Sequence, residues 1–242
     1  MRALAIVHQR DAGPGVFGEG VRDAGWHLDE WHIAEEAGPP GDPHGYDAVL
    51  VFGGAMHVDQ EGEHPWLVDE KRLIARLLEA DRPLFGVCLG AQLLGEAAGS
   101  PARRSTVPEI GWFGVSITDT GSTDPVLGPL APEFEAFGWH SYEVPLPPGA
   151  VPLAGSETCL QAFRLGDRAW GIQFHAEVSA ADAEYWIRNY DTDPDAVAAG
   201  IDPEALWSET EPRLERWNSL GRTLATRFLQ TVTKHKRGSD PT

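Results

Sequence analysis

The sequence predicts an α/β protein: an open, mainly parallel sheet flanked by helices, with a small antiparallel portion and a C-terminal helical extension. Three observations predict it. Short, wholly apolar runs alternate with amphipathic segments through the first half, the pattern of buried parallel strands joined by helices. Strand-like runs then follow one another with little helical pattern between them. From Pro203 to Val232 a broken apolar stripe recurs at helical spacing.

Each element follows from its local pattern. Ala3 to Val7 is an apolar run suited to a buried strand, and Gly13-Pro14-Gly15 breaks it. Val16 to Ala24 forms a short helix that Gly25 ends, and Trp26 to Ile33 alternates as a strand does. Glu35 to Gly45 is rich in Gly and Pro and reads as a loop. Ala48 to Phe52 is a second buried strand, closed by Gly53-Gly54. Leu67, Leu73, Ile74, Leu77 and Leu78 mark Trp66 to Ala80 as a helix. Pro83 to Val87 is a strand, and Leu89 to Ala98 continues from it as a helix.

In the middle of the chain Trp112–Thr118, Glu133–Phe137, Cys159–Leu165 and Ala169–Phe174 read as strands, part of them antiparallel. Ser179 N-caps a helix running to Tyr190. Asp191 to Asp202 reads as a polar connector, Pro203 to Val232 as helix, and the tail after Lys234 as frayed. The expected organisation is one domain over residues 1–185 with a helical extension, 186–242, packed on it.

Composition narrows the partners. Asp and Glu number 37 against 19 Lys and Arg, a formal charge of −18, which repels phosphate backbones and anionic membranes. Nucleic acid and membrane are therefore not expected as partners. The apolar runs are far shorter than the ~20 residues that span a bilayer. Arg2 to Val7 enters a strand directly, with no basic region, long apolar run and cleavage site, so no leader is expected. The only cysteines, Cys88 and Cys159, cannot make a disulfide framework, which suits a reduced, cytoplasmic protein.

Gly86-Val87-Cys88-Leu89-Gly90 is the sharpest local feature. A strand leads in and a helix leads out, the context of a nucleophile elbow with Cys in place of Ser. The helix N-terminus favours a thiolate and offers backbone N–H groups to a developing oxyanion. A thiol nucleophile needs a base, and the base an orienting acceptor. His175 at a predicted strand end, with Glu177 two residues on, can supply both. Gly53-Gly54 lies at another strand end, where loops line the ligand crevice of an open sheet and backbone can approach a substrate.

Together Phe52-Gly53-Gly54-Ala55-Met56, Gly86 to Leu94 and Gly171-Ile172-Gln173-Phe174-His175-Ala176-Glu177 resemble the class I, or triad, glutamine amidotransferase family, whose fold is flavodoxin-like. Glu109-Ile110-Gly111-Trp112 and Gln161-Ala162-Phe163-Arg164 are similar to the stand-alone branch akin to the amidotransferase domain of GMP synthase. The resemblance covers about residues 1–185 and implies roles by position. Cys88 attacks the side-chain amide of glutamine to give a thioester. His175 moves the protons and Glu177 holds the imidazole. The N–H groups of Gly54 and Leu89 form the oxyanion hole. Gln92 and the segment Trp139-His140-Ser141-Tyr142 bind substrate, and Trp112 lies near the pocket. No cofactor and no metal is implied. His57, Asp59 and His64 fit no strong ligand template, and Cys159 is expected in an apolar strand.

Three positions depart from the family pattern. Ala55 stands where Pro is common, Ala176 stands where His-Pro-Glu is common, and Tyr142 stands where the GMP synthase branch commonly carries Asp. The last bears on substrate choice, because that Asp is suited to a substrate ammonium. The resemblance implies glutamine hydrolysis to glutamate and ammonia, with ammonia passed to a separate synthetase chain, since too few residues follow His175 for a nucleotide-activating domain. The alternative is a stand-alone hydrolase of γ-glutamyl peptides or amides. A non-catalytic, partner-binding role is a third reading, opposed by the intact Cys88, His175 and Glu177.

Overall fold

The computed structural model describes residues 1–238. Strands β1 (Arg2–Val7), β2 (His27–His32), β3 (Ala48–Val51) and β4 (Leu84–Val87) alternate with helices α1 (Gly15–Asp23), α2 (Trp66–Glu79) and α3 (Leu89–Ala97). Then come β5 (Arg103–Ile117), a short α4 (Asp119–Ser122), β6 (Glu133–Glu143), β7 (Val151–Gly155), β8 (Leu160–Leu165) and β9 (Ala169–Ile172). The chain ends in α5 (Ala180–Arg188), α6 (Pro194–Ala199), α7 (Pro203–Thr210) and α8 (Leu214–Gly238).

All nine strands form one open sheet in the order β2-β1-β3-β4-β9-β8-β7-β5-β6. The strands β2, β1, β3, β4 and β9 run parallel; from β8 onward neighbours are antiparallel. Strand β9 therefore returns from the antiparallel half to lie beside β4. That return brings the end of β9 next to the β4–α3 turn.

Period-two alternation explains the two layers. In β1, Ala3, Ala5 and Val7 face one apolar cluster with α1, α5 and α8, while Leu4 and Ile6 face the other with α2 and α3. In β3, Ala48 and Leu50 divide from Val49 and Val51 in the same way. Both faces are covered, so these strands read as continuous apolar runs. The long helix α8 lays Trp217, Leu224, Ala225 and Phe228 into the first cluster, with Ala225 close against Gly20 of α1.

Some expectations are corrected. Strands β5 and β6 are longer than their apolar segments because their ladder continues through polar, half-exposed residues. Strand β7 carries Pro152 and a register shift, which hides it from a propensity reading. The expected connector 191–202 contains α6, N-capped by Asp193, begun by Pro194 and closed by Gly200 in the left-handed region. The stripe from Pro203 is broken by a turn of 3₁₀-helix over Glu211–Arg213, where Pro212 lacks an N–H. The tail expected to fray after Lys234 continues α8 to Gly238; residues 239–242 lie outside the described part.

Candidate active site

Cys88 stands in the turn between β4 and α3 with φ +52° and ψ −108°, a conformation costly for a side chain with a Cβ, on the order of 1–3 kcal/mol. Hydrogen bonds hold it there. Its N–H donates to Ile172 O of β9 at 2.8 Å, its carbonyl accepts from Gln92 N–H at 3.0 Å, and the Gly90 N–H donates to Phe52 O at 3.2 Å. The flanking glycines are sterically required. A Cβ on Gly86 would sit 2.5 Å from Gly90 O, and one on Gly90 would sit 2.0 Å from Val51 O. The turn thus places a thiol at the N-terminus of α3, where the helix dipole favours negative charge.

His175 follows β9, and its N–H donates to Phe137 O at 2.8 Å. Its Nδ1 lies 2.7 Å from Glu177 Oε1, with both side chains buried. That bond leaves Nε2 free for proton transfer. Burial disfavours the imidazolium, but the Glu177 carboxylate and then Cys88 outweigh it and hold the pKa of His175 up at about 10. Gly53 gives the ring room, since a Cβ there would lie 2.9 Å from His175 Cε1 and 3.7 Å from Cys88 Cβ.

The segment from His175 to Val178 is fastened from behind by residues that sequence reasoning did not single out for the site. Trp217 Nε1 donates to His175 O at 2.8 Å, and Asn218 Nδ2 donates to Val178 O at 2.7 Å. Gly221 lets α8 approach so closely that a Cβ would sit 1.9 Å from Ala176 O. Gly15, at φ +43°, accepts the Glu177 backbone with equal closeness. None of these carries a local sequence signal, because each is defined by what it meets across the fold.

A small cavity of about 50 Å³ opens beside Cys88, lined by Gly54, Leu89, Gln92, Trp139, His140, Ser141 and Tyr142 among others. Gln92 is committed to the framework: its Nε2 donates to Tyr142 O and Gln173 Oε1, each at 3.2 Å. Trp139 O is 3.9 Å from Cys88 Sγ, and its indole donates to Asp193 Oδ2 at 2.8 Å. The His140 ring turns to Tyr142 O at 3.0 Å and Glu109 Oε2 at 3.2 Å. Ser141 Oγ donates to Asp195 Oδ2. The Tyr142 hydroxyl donates to Asp59 at 3.0 Å, and its ring stacks on His57 at 4.2 Å.

Asp193 and Asp195 of the α6 turn both line the cavity. The sequence signal for them is the Asp-Pro pair that starts a helix. Trp112 does not reach the cavity; it packs on Phe137 and Trp217 and donates to Thr210 Oγ1 at 2.9 Å.

A second cavity of about 110 Å³ lies on the His175 side, lined by Gln9, Asp11, Gly54, Trp139, Trp186, Tyr190 and Asp193 among others. A larger concavity, about 1380 Å³, is an open groove along β5, β6 and the start of α8. It contains none of Cys88, His175 or Glu177.

Of the residues set aside as metal ligands, His57 and Asp59 both flank Tyr142, and His64 lies by Trp66. Among the described residues Glu109, His140 and Cys159 have ligand atoms within 4.8 Å of one another. Gln161 Nε2 already donates to Glu109 Oε2 there at 2.6 Å, and Cys159 Sγ contacts the same oxygen at 3.4 Å. Cys159 is therefore not an apolar core residue as expected. It is half-buried just before β8, and burial followed by the Glu109 charge pushes its thiol above the ordinary range.

Known proteins resemble this chain in sequence and in fold. The family model described as glutamine amidotransferase class-I matches residues 26–190. The glutamine amidotransferase-like protein YfeJ of Salmonella typhimurium is 30% identical over 194 residues, 78% of this chain and 81% of that one. A γ-glutamyl-L-1-hydroxyisopropylamide hydrolase from a Pseudomonas species is 31% identical over 152 residues, 59% of this chain and 51% of that one, so the match spans about half of that protein. One subunit of the glutamine-hydrolysing GMP synthase of Sulfurisphaera tokodaii is 35% identical over 136 residues, 55% of this chain and 68% of that one. The crystal structure of a glutamine amidotransferase from Thermotoga maritima matches with a TM-score of 0.84 at 29% identity, covering 94% of this chain and 97% of that one.

Proposed function

The chain belongs to the class I glutamine amidotransferase family, and from that premise we propose that it hydrolyses the γ-amide of glutamine to glutamate and ammonia through a Cys88 thioester. The observation that carries this reading is the strained Cys88 beside a His175 whose Nδ1 is 2.7 Å from buried Glu177. The Cys88 thiol gives its proton to the imidazole, whose charged form the buried Glu177 carboxylate favours. The sulfur attacks the amide carbon, and the oxygen gathers charge toward the N–H groups of Leu89 and Gly54. Nε2–H then protonates the nitrogen, the C–N bond breaks, and ammonia leaves the thioester. Water gives its proton to Nε2 as it attacks the thioester, and the thiolate departs with glutamate freed.

The substrate end is supported by charge. Asp193 and Asp195 face a cavity that also holds Ser141 and Tyr142, which suits the ammonium of an amino acid. The acceptor of the ammonia is a separate synthetase chain in this reading, as the naming of the Sulfurisphaera tokodaii relative for one subunit of its synthase suggests. A reducing, cytoplasmic setting suits a free thiol nucleophile.

A second reading is favoured by the cavity on the His175 side. Ammonia needs no such space, whereas the amine of a γ-glutamyl amide could occupy it, and the Pseudomonas relative is named for that kind of substrate. Steady-state turnover of glutamine and a panel of γ-glutamyl amides and dipeptides by the isolated chain tests both. Glutamine as the best substrate supports the first reading. An amide or dipeptide with kcat/KM more than about a hundredfold above glutamine, some 2.7 kcal/mol of transition-state preference, establishes the second. No turnover of any of them would overturn both.

A further inference from the structure

The loop after β3 is pinned by residues that follow β1 and lie in α2. His8, the residue after β1, donates from Nδ1 to Gly53 O at 3.0 Å. Its Nε2 lies 2.9 and 3.0 Å from the two carboxylate oxygens of Glu70 in α2. Both side chains are completely buried, and Trp66 stacks on the imidazole at 5.4 Å. The next residue repeats the attachment: Gln9 Oε1 accepts from Ala55 N–H at 2.8 Å, a bond the commoner Pro could not make.

Two geometric facts give this consequence. The peptide joining Gly53 and Gly54 is trans, since Ala131-Pro132 is the only cis peptide among the described residues. In a trans peptide the C=O and N–H point in opposite directions. Glycine on both sides would otherwise let that peptide rotate cheaply. A carbonyl fixed to His8 therefore points the Gly54 N–H away from His8, while a Cβ on Gly53 would meet His175 and Cys88 and Gly54 lines both cavities.

We propose that His8 and Glu70 are positioning residues that lock the Gly53–Gly54 peptide with its N–H in the oxyanion hole, so that the isolated chain carries a preformed hole. The proposal rests on the hydrolytic reading above and adds its regulation: turnover does not wait for a partner to turn this peptide. His8 needs two donors for the task. Burial opposes its charge, but Glu70 outweighs that and favours the doubly protonated ring. The ion pair is thus a device of orientation; such a pair by itself seldom adds net stability over apolar residues of similar size.

The test compares His8→Leu/Glu70→Leu with His8→Asn/Glu70→Leu. Leucines keep the site filled without an unpaired charge, and the Asn Nδ2 takes the place of imidazole Nδ1 as donor to Gly53 O. On the best γ-glutamyl substrate, kcat of the double-leucine protein should fall about ten- to a hundredfold with KM within about threefold. Alkylation of Cys88 by iodoacetamide, which builds no oxyanion, should stay within about twofold, and the Asn variant should recover kcat to within about threefold of wild type. A folded double-leucine protein with kcat within about threefold of wild type overturns the lock. If that protein does not fold, Glu70→Gln replaces it: a loss of about three- to tenfold in kcat at constant KM is expected, and no loss overturns the proposal. A wild type that hydrolyses no γ-glutamyl compound defeats the hydrolytic reading instead. The lock is then read from crystal structures of the two variants: a Gly53 carbonyl that turns only in the double-leucine protein supports it, and one unmoved in both overturns it.

Discussion

The indole of Trp217, in the long C-terminal helix, donates to the backbone carbonyl of His175 at 2.8 Å. With Asn218 on Val178 O and Gly221 against Ala176 O, one face of α8 fixes the whole His-Ala-Glu segment. Trp217→Phe keeps the ring in its cluster but removes the donor. We expect a stability loss of roughly 1 kcal/mol and a several-fold fall in kcat, read by denaturant unfolding and steady-state rates. Removing the residues after Asp202 is a harsher test. It strips Leu214, Trp217, Leu224, Phe228, Leu229 and Val232 from the core, each worth about 1.5–3 kcal/mol buried. The truncated chain should therefore lack a cooperative melting transition. A truncation that melts at the wild-type temperature would make α8 a docking helix instead of part of the fold.

Cys88 couples function to strain. Cys88→Ala should abolish turnover, by about 10⁴-fold or more, and keep the fold. Its left-handed φ gives a second, less usual expectation. Glycine tolerates φ +52° where alanine does not, so Cys88→Gly should be more stable than Cys88→Ala by about 1 kcal/mol, the reverse of the ordinary order. Melting temperatures of the two inactive variants decide it, and alanine proving the more stable would mean that the turn is not strained.

Much of this arrangement is legible in the residues. The buried strands β1, β3, β4 and β9 announce themselves as apolar runs because both of their faces are covered. The elbow is legible because the demand for glycine at Gly86 is made by Gly90, within five residues of sequence. What the pattern does not give is defined across the fold. The α6 turn lies in a polar stretch with one buried residue, Ala196, so no apolar stripe marks it, yet it brings Asp193 and Asp195 to the cavity. His8 and Glu70 lie 62 positions apart and meet only because β1 and α2 pack together. Cys159 misleads because a thiol at the start of a strand reads as core, while its actual surroundings include Glu109 of β5 and Gln161 two residues on.

The His175–Glu177 pair makes a statement about pH. The pKa of His175 is raised to about 10 with Glu177 the leading favourable cause, so folding favours the protonated ring. The stability it adds is full below the ordinary value of about 6.5 and is lost as pH rises through about 10. Glu177→Gln should bring the His175 titration, followed by NMR of its ring protons, down toward the ordinary value. It should also flatten the fall in stability over that window. On turnover, His175→Ala should cost more than Glu177→Ala by about one to two decades, since the first removes the proton carrier and the second only its anchor. Equal rates for wild type and His175→Ala would remove His175 from the mechanism.

Asp195 is the residue on which the substrate end can be tested. Its carboxylate accepts from Arg104 at 2.8 Å and from Ser141, and lies 3.4 Å from His57. Although burial opposes the charge, Arg104 and Ser141 outweigh it and hold its pKa below the usual carboxylate range, so it is ionised at neutral pH. It lines the Cys88 cavity beside Tyr142. Asp195→Asn is nearly isosteric and can keep a bond to Ser141, but it removes the charge. If that charge meets the ammonium of the substrate, KM for glutamine should rise about tenfold or more, roughly 1.4 kcal/mol of binding, with kcat changed far less. N-acetylated glutamine, which has no ammonium, is the control. Wild type should use it poorly, and Asp195→Asn should no longer discriminate against it. An unchanged KM for glutamine, or equal use of both compounds by wild type, would show that the carboxylate serves only to tie Arg104 and Ser141 to the α6 turn.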